Sequence, residues 1–273
     1  MATFPAASFL GIPRELRLQI YAELQEQDLE YKVLDRWSER SAYDPYSVPF
    51  RNEESRLLIP WLSLLFSCRA VAAEMRSLIR DQAQRDDKHV TYVMDADLGP
   101  DGDDMGHVIW QRIPCAPIDA KALVVNCYVD PRKWFAGDGG FPSVVSSMYQ
   151  TLNLFLHCGP GLNPDKPLRD GHLRLRELVI HMYQRAGTDY YTRPDGSTQY
   201  SDAYRVLRGN LFRILCRTGI LSGYIEQVRI TEGSAEATFV IDPDLVHDGN
   251  VSDLWKRCGF EWGLGGPCWS GEA

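Results

Sequence analysis

The sequence lacks the patterns that mark several classes of protein. Its cysteines number 7 in 273 residues, an odd total with no C-x-x-C pair, which argues against a disulfide framework and against a zinc module. No apolar run approaches the roughly 20 residues that a membrane helix needs. The N-terminus carries no basic region ahead of a long apolar stretch, so we expect no secretory signal and a cytoplasmic or nuclear location.

Acidic residues outnumber basic ones, 37 against 29. The formal net charge is −8, and such a surface repels phosphate backbones, so we expect no nucleic-acid binding. The lack of a membrane-length apolar run predicts no membrane partner. The only modest basic stretch covers residues 169–176. With 44% hydrophobic residues, the chain has ordinary globular composition and is long enough for one large domain or two smaller ones.

Motifs of catalysis and metal binding are missing as well. The chain has no G-x-S-x-G, no Walker lysine motif and no G-x-G-x-x-G after a strand. Five aspartates crowd residues 95–104, but counting from Asp97 puts Val108 at the twelfth position, where a calcium loop of the EF-hand type needs glutamate. We therefore predict a non-catalytic protein without cofactor or metal. An enzyme is the least favoured alternative, which a pocket with a perturbed acid and a nucleophile would support.

Helical patterns dominate the first third of the chain. Pro13 suits a first helical turn, and Leu16, Ile20 and Leu24 follow at intervals of four, so we predict a helix over residues 13–25. A second helix is predicted over residues 60–84. Its expected buried face comprises Leu64, Leu65, Cys68, Val71, Ala72, Met75 and Ile79.

The pattern changes near residue 88. Strands are predicted at residues 89–94, 122–129, 175–183 and 225–231, with a further short strand at 238–241. The segment 122–129 is apolar enough to be buried on both faces. Residues 95–106 are predicted to be a loop. Helices are predicted at residues 141–158 and 202–217.

This order of strands and helices predicts an α/β fold. Strands separated by helices imply right-handed crossovers and a mostly parallel sheet, which makes the whole chain α+β when the helical N-terminus is included. The strands near Val124, Val179 and Val228 recur at roughly 50-residue spacing, which suggests a degenerate α/β repeat.

Two N-terminal segments together resemble an F-box, in the divergent form common in filamentous fungi. The first is Ile12-Pro13 with Leu16, Ile20 and Leu24. The second places Leu64 and Leu65 before Cys68 and Arg69, with Glu74 following. The chain departs from the compact motif in its long spacer and in lacking a tryptophan shortly after Arg69.

The resemblance implies a substrate-recruiting adaptor of an SCF-type ubiquitin ligase, acting in ubiquitin-mediated degradation. Residues 1–86 would form an F-box-like helical segment, and residues 87–273 an α/β partner-recognition domain. The segment would bind the Skp adaptor, and through it a cullin, using Ile12, Pro13, Leu16, Ile20, Leu24, Leu64, Leu65, Cys68 and Arg69. The α/β domain would bind a protein substrate.

An alternative interpretation retains the same fold but assigns the protein no role in a ubiquitin ligase. In it, the N-terminal helices are integral to one domain, and the protein is a scaffold or protein-recognition module. Exposure of the first helix separates the two, because packing of Leu16, Ile20 and Leu24 onto the sheet would leave no apolar surface for an adaptor. Loop aromatics near Tyr190 and Trp262 are candidate substrate contacts, or else covers for the domain's own core.

Overall fold

The fold of this chain is known from a computed structural model. It describes residues 9–26, 31–32, 59–85, 90–98, 108–129, 143–162, 166–169, 171–184, 208–209, 216 and 219–244. The predicted helix at 202–217 lies largely outside the described residues, and the loop aromatics near Tyr190 and Trp262 lie entirely outside them.

Four α-helices lie in the described part of the chain: α1 (Arg14–Glu26), α2 (Pro60–Leu65), α3 (Arg69–Arg85) and α4 (Ser143–Cys158). The prediction of one helix over 60–84 is wrong, because the chain turns between α2 and α3. The Ser67 hydroxyl and the Ser67 amide both donate to the Leu64 carbonyl, at 2.8 and 3.2 Å. A serine that bonds the backbone in this way competes with the helical ladder and favours a turn. A fresh helical ladder then starts where the Ala72 amide donates to the Cys68 carbonyl at 2.9 Å.

The strands form one seven-stranded sheet in the order β1-β3-β2-β4-β5-β6-β7. Their bounds are β1 (Tyr31–Lys32), β2 (Thr91–Leu98), β3 (Val108–Arg112), β4 (Ala122–Val129), β5 (Leu175–Gln184), β6 (Ile225–Glu232) and β7 (Ala235–Val240). The four central strands β2, β4, β5 and β6 are parallel neighbours. The pairs β1–β3, β2–β3 and β6–β7 are antiparallel, so five of the seven strands share one direction.

These elements confirm the predicted α/β fold with a mostly parallel sheet. The helix α4 follows β4 and precedes β5, as the predicted crossover requires. Two local predictions were wrong. Residues 95–98 continue strand β2 instead of forming a loop, and β3 was not expected at all. Asp95 is tolerated within a strand because Gln111 and Asn126 each donate to its carboxylate at 2.8 Å.

One face of the sheet packs into the hydrophobic core. On β4, the core-facing residues Leu123, Val125 and Cys127 are buried, whereas Val124, Asn126 and Tyr128 alternate with them and are half-buried. The prediction that β4 is buried on both faces is therefore wrong. The core is aromatic at its centre, where the Tyr92 and Trp110 rings lie 5.7 Å apart, edge to face.

The same core includes the N-terminal helices. Tyr21, Trp61 and Met75 belong to one hydrophobic cluster with the strand residues and with Phe155 of α4. The boundary between residues 86 and 87, and the degenerate repeat, stay predictions.

Candidate partner-binding surface

Helix α1 begins directly after Pro13, whose carbonyl accepts hydrogen bonds from the amides of Leu16 and Arg17, both at 3.1 Å. Its buried residues are Arg17, Tyr21 and Gln25, spaced four apart. Since residues four apart share a helix face, this polar set defines the side of α1 that meets the rest of the protein.

Arg17 joins α1 to α3 through a two-point ion pair. Its Nε donates to Glu74 Oε2 at 3.0 Å, and its Nη2 donates to Glu74 Oε1. The Tyr21 hydroxyl also donates to Glu74 Oε2, at 3.0 Å. The remaining guanidinium nitrogen, Nη1, donates to the carbonyls of Leu10 (3.1 Å) and Ile12. One arginine therefore fixes both the start of α1 and the 3-10 turn Phe9–Gly11 against α3.

The electrostatics of this group keep it ionised. The hydrogen bonds from Arg17 lower the pKa of Glu74 in spite of its partial burial, and those from Tyr21 act in the same direction. The bond to Glu74 in turn raises the pKa of Arg17. Burial and the Glu74 carboxylate raise the pKa of Tyr21, so its hydroxyl remains a donor at neutral pH.

A second set of hydrogen bonds mounts the helices on the sheet. Three consecutive carbonyls after β3, those of Ile113, Pro114 and Cys115, each accept a bond from a buried side chain. The donors are Trp61 Nε1 from α2, Gln25 Nε2 from α1 at 2.8 Å, and the Tyr92 hydroxyl from β2. We call residues 113–115 the carbonyl mount. It joins the two N-terminal helices and the sheet at one place.

With its polar side held inward, α1 leaves apolar side chains on the outside. Leu16 is 48% exposed and Ile20 is 38% exposed, although Arg17 and Tyr21 beside them are buried. Leu10 in the preceding turn is 47% exposed, and Phe66 in the α2–α3 turn is 81% exposed. Because α1 contacts both α2 and α3, these side chains lie on one helical unit.

The nine predicted partner-binding residues fall into two groups. Ile12, Leu24, Leu64 and Leu65 are half-buried, and the last three of these pack against the core. Exposed are Pro13, Leu16, Ile20, Cys68 and Arg69. The expectation that Cys68 belongs to the buried face of a helix is wrong, because it lies in the segment between α2 and α3.

Sequence reasoning missed Arg17, Tyr21 and Phe66 as members of this surface and its support. The first two could have been noticed, because Arg17, Tyr21 and Gln25 recur every four residues and form a stripe next to that of Leu16, Ile20 and Leu24. Their partner Glu74 lies 57 residues after Arg17, and nothing local indicates that pairing.

Among the residues that the structure describes, no group of three or more His, Cys, Asp or Glu side chains could hold a metal ion. The aspartates between residues 99 and 107 lie outside that range. None of the described helices is long and apolar enough to cross a membrane.

Comparisons with protein-family models, with curated proteins and with solved structures find no match to this chain.

Proposed function

We propose that this chain is an F-box-like adaptor that recruits substrates to an SCF-type ubiquitin ligase. The observation that carries the proposal is the exposure of Leu16 and Ile20 beside buried Arg17 and Tyr21. Large apolar side chains gathered on one exposed surface are a common mark of a protein-binding site.

The way in which α1 is attached strengthens this argument. An amphipathic surface helix normally turns its apolar stripe inward and its charges outward. Here Arg17 and Gln25 point inward, and each bonds to a partner in another element. These polar contacts hold α1 together with the core contacts of Tyr21 and Leu24, and Leu16 and Ile20 stay available to a Skp adaptor.

The two parts of the F-box-like pattern also lie close in the fold. The first part starts α1, and the second covers the turn between α2 and α3, which both contact α1. The 3-10 turn before α1 is tied to α3 through Arg17 and Glu74. A partner seated on Leu16 and Ile20 would therefore meet a pre-ordered surface, which lowers the entropy lost on binding.

In this proposal the chain has no catalytic role. The α/β region, residues 87–273, would hold a protein substrate in the cytoplasm or nucleus, and other subunits of the ligase would transfer ubiquitin. The contribution of this chain would be proximity and orientation. The carbonyl mount suits that role, because it accepts two buried hydrogen bonds from the helices and one from strand β2.

A second candidate function is a protein-recognition module or scaffold with no ligase role. The sharing of one core by Tyr21, Trp61 and the strands favours it, because helices that complete a domain's own core need no further partner. The two candidates differ in whether the exposed side of α1 binds a Skp adaptor.

Co-purification with a Skp adaptor and a cullin tests the proposal. Wild type should form the complex, and a Leu16→Asp/Ile20→Asp double variant should lose it. Both positions are substantially exposed, so the variant should remain folded by circular dichroism. A Val240→Asp variant makes the same kind of change at a side chain that is 76% exposed on β7, and it should still bind. Folded wild type that captures no adaptor would reject the ligase role in favour of the second candidate.

A further inference from the structure

The second face of the sheet carries a row of polar side chains that crosses five strands. Strand registers pair Asp95 with Asn126, Asn126 with His181, His181 with Thr231, and Thr231 with Glu236. An acid therefore stands at each end of the row, on β2 and on β7. We call these five residues the cross-sheet row.

The Asp95 end is built from several side chains. Gln111 donates to one carboxylate oxygen and Asn126 to the other, each at 2.8 Å, so the carboxylate is fixed while each oxygen keeps a further lone pair. Burial and the nearby Asp95 carboxylate raise the pKa of Tyr128, and the Tyr128 ring stacks on Tyr183 of the next strand with centroids 5.4 Å apart and planes 25° apart. Tyr183 is 45% exposed. A carboxylate beside an exposed aromatic face is suited to an arginine or lysine side chain.

Asp95 and Glu236 are the charged members of the cross-sheet row, and the other three members do not neutralise them. Two cations lie on the neighbouring row: Arg229 pairs with Glu177 at 3.1 Å, and Arg112 on β3 lies opposite Val93. His181 bonds Thr231 Oγ1 through Nδ1 at 2.7 Å, and burial lowers the pKa of His181, so it is neutral near pH 7. Within the described part of the chain, no ion pair involves Asp95 or Glu236.

We propose that the cross-sheet row docks an extended segment of a partner protein that carries two basic side chains. One would reach Asp95, near the stacked Tyr128 and Tyr183 rings, and the other would reach Glu236. Four strand spacings of about 4.8 Å separate the two acids by about 19 Å, and an extended peptide covers that length in about six residues at 3.3 Å each. The site is too long for one small amine to contact both acids. This proposal goes beyond the adaptor function and does not depend on it.

Titration of the full chain, without any adaptor, tests the proposal by calorimetry at low salt. The probe is a serine–threonine peptide with arginines at its first and seventh positions. Asp95→Asn and Glu236→Gln should each weaken binding about threefold, and Tyr183→Ala about fivefold. Glu226→Gln removes an exposed acid from the opposite face of β6 and should change nothing.

Three results would overturn the proposal. One is the absence of saturable binding by wild type. Another is equal affinity for a peptide whose arginines stand two positions apart, since that peptide cannot span the row. The third is equal weakening by Glu226→Gln and Glu236→Gln, which would reduce the effect to net charge. Glu236 is exposed, so its variant should fold even if Asp95→Asn does not.

Discussion

The carbonyl mount predicts an unusually large effect for the removal of one oxygen atom. Tyr92 is fully buried, and its hydroxyl donates to the Cys115 carbonyl. Burial raises the pKa of Tyr92 well above its usual value, so the hydroxyl stays protonated and acts as a donor throughout the working pH range. The Tyr92→Phe substitution keeps the ring in the core and deletes only the donor.

The expected loss of unfolding free energy depends on the carbonyl group that the Tyr92→Phe substitution leaves without a donor. Cys115 is fully buried, so its carbonyl would lose a partner away from water. A lost hydrogen bond combined with a buried unsatisfied carbonyl typically costs about 1–3 kcal/mol. For a chain of this size, that corresponds to a fall in Tm of about 2–4 °C per kcal/mol.

Urea denaturation of wild type, Tyr92→Phe and Tyr183→Phe measures the effect. Tyr183 is a matched control, because it also lies in the sheet but is 45% exposed, and its hydroxyl should matter by less than about 0.5 kcal/mol. Equal unfolding free energies for the two variants would refute the reasoning, since the mount would then contribute no more than a surface hydroxyl does.

Three further predictions concern the core, the pH response and the thiols. Met75→Ala should destabilise the protein by about 2–5 kcal/mol in the same assay, because Met75 is fully buried between the helices and the core. Burial lowers the pKa of His157, so as the pH falls the unfolded chain takes up a proton at this side chain before the folded chain does. The Tm should therefore decrease as the pH is lowered below about 6.5, and the decrease should be smaller in the His157→Gln variant. Brief maleimide labelling with peptide mapping should modify exposed Cys68 and spare Cys115, whose pKa burial raises to about 12.

The existence of α1 could be predicted from sequence, but the side that it buries could not. Leu16, Ile20 and Leu24 gave the helical period, and α1 lies within one residue of the predicted span. The buried stripe is the neighbouring one, with Arg17 and Gln25, because their partners lie 57 and 89 residues away. The spacing of apolar residues predicts an amphipathic helix, but contacts with residues far along the chain determine which side of that helix is buried.

In the sheet as well, some strands could be predicted from local sequence, whereas others depend on contacts with distant residues. Strand β4 matched its prediction over all eight residues, since its composition favours a strand wherever it lies. Strand β3 was missed because it is short and contains Gln111 and Arg112, and its pairing with β2 stabilises it. Asp95 misled the prediction for a related reason, since aspartate favours loops until distant amides satisfy its carboxylate.

The affinity of this chain for a Skp adaptor, measured by calorimetry, tests the central claim most directly. Phe66→Ala should weaken binding about tenfold or more, as truncation of an aromatic anchor does. Val240→Ala, at a comparably exposed apolar side chain on β7, should leave the affinity unchanged. Equal affinities for both variants, or no binding by folded wild type, would contradict the account of α1 and the α2–α3 turn as a partner surface.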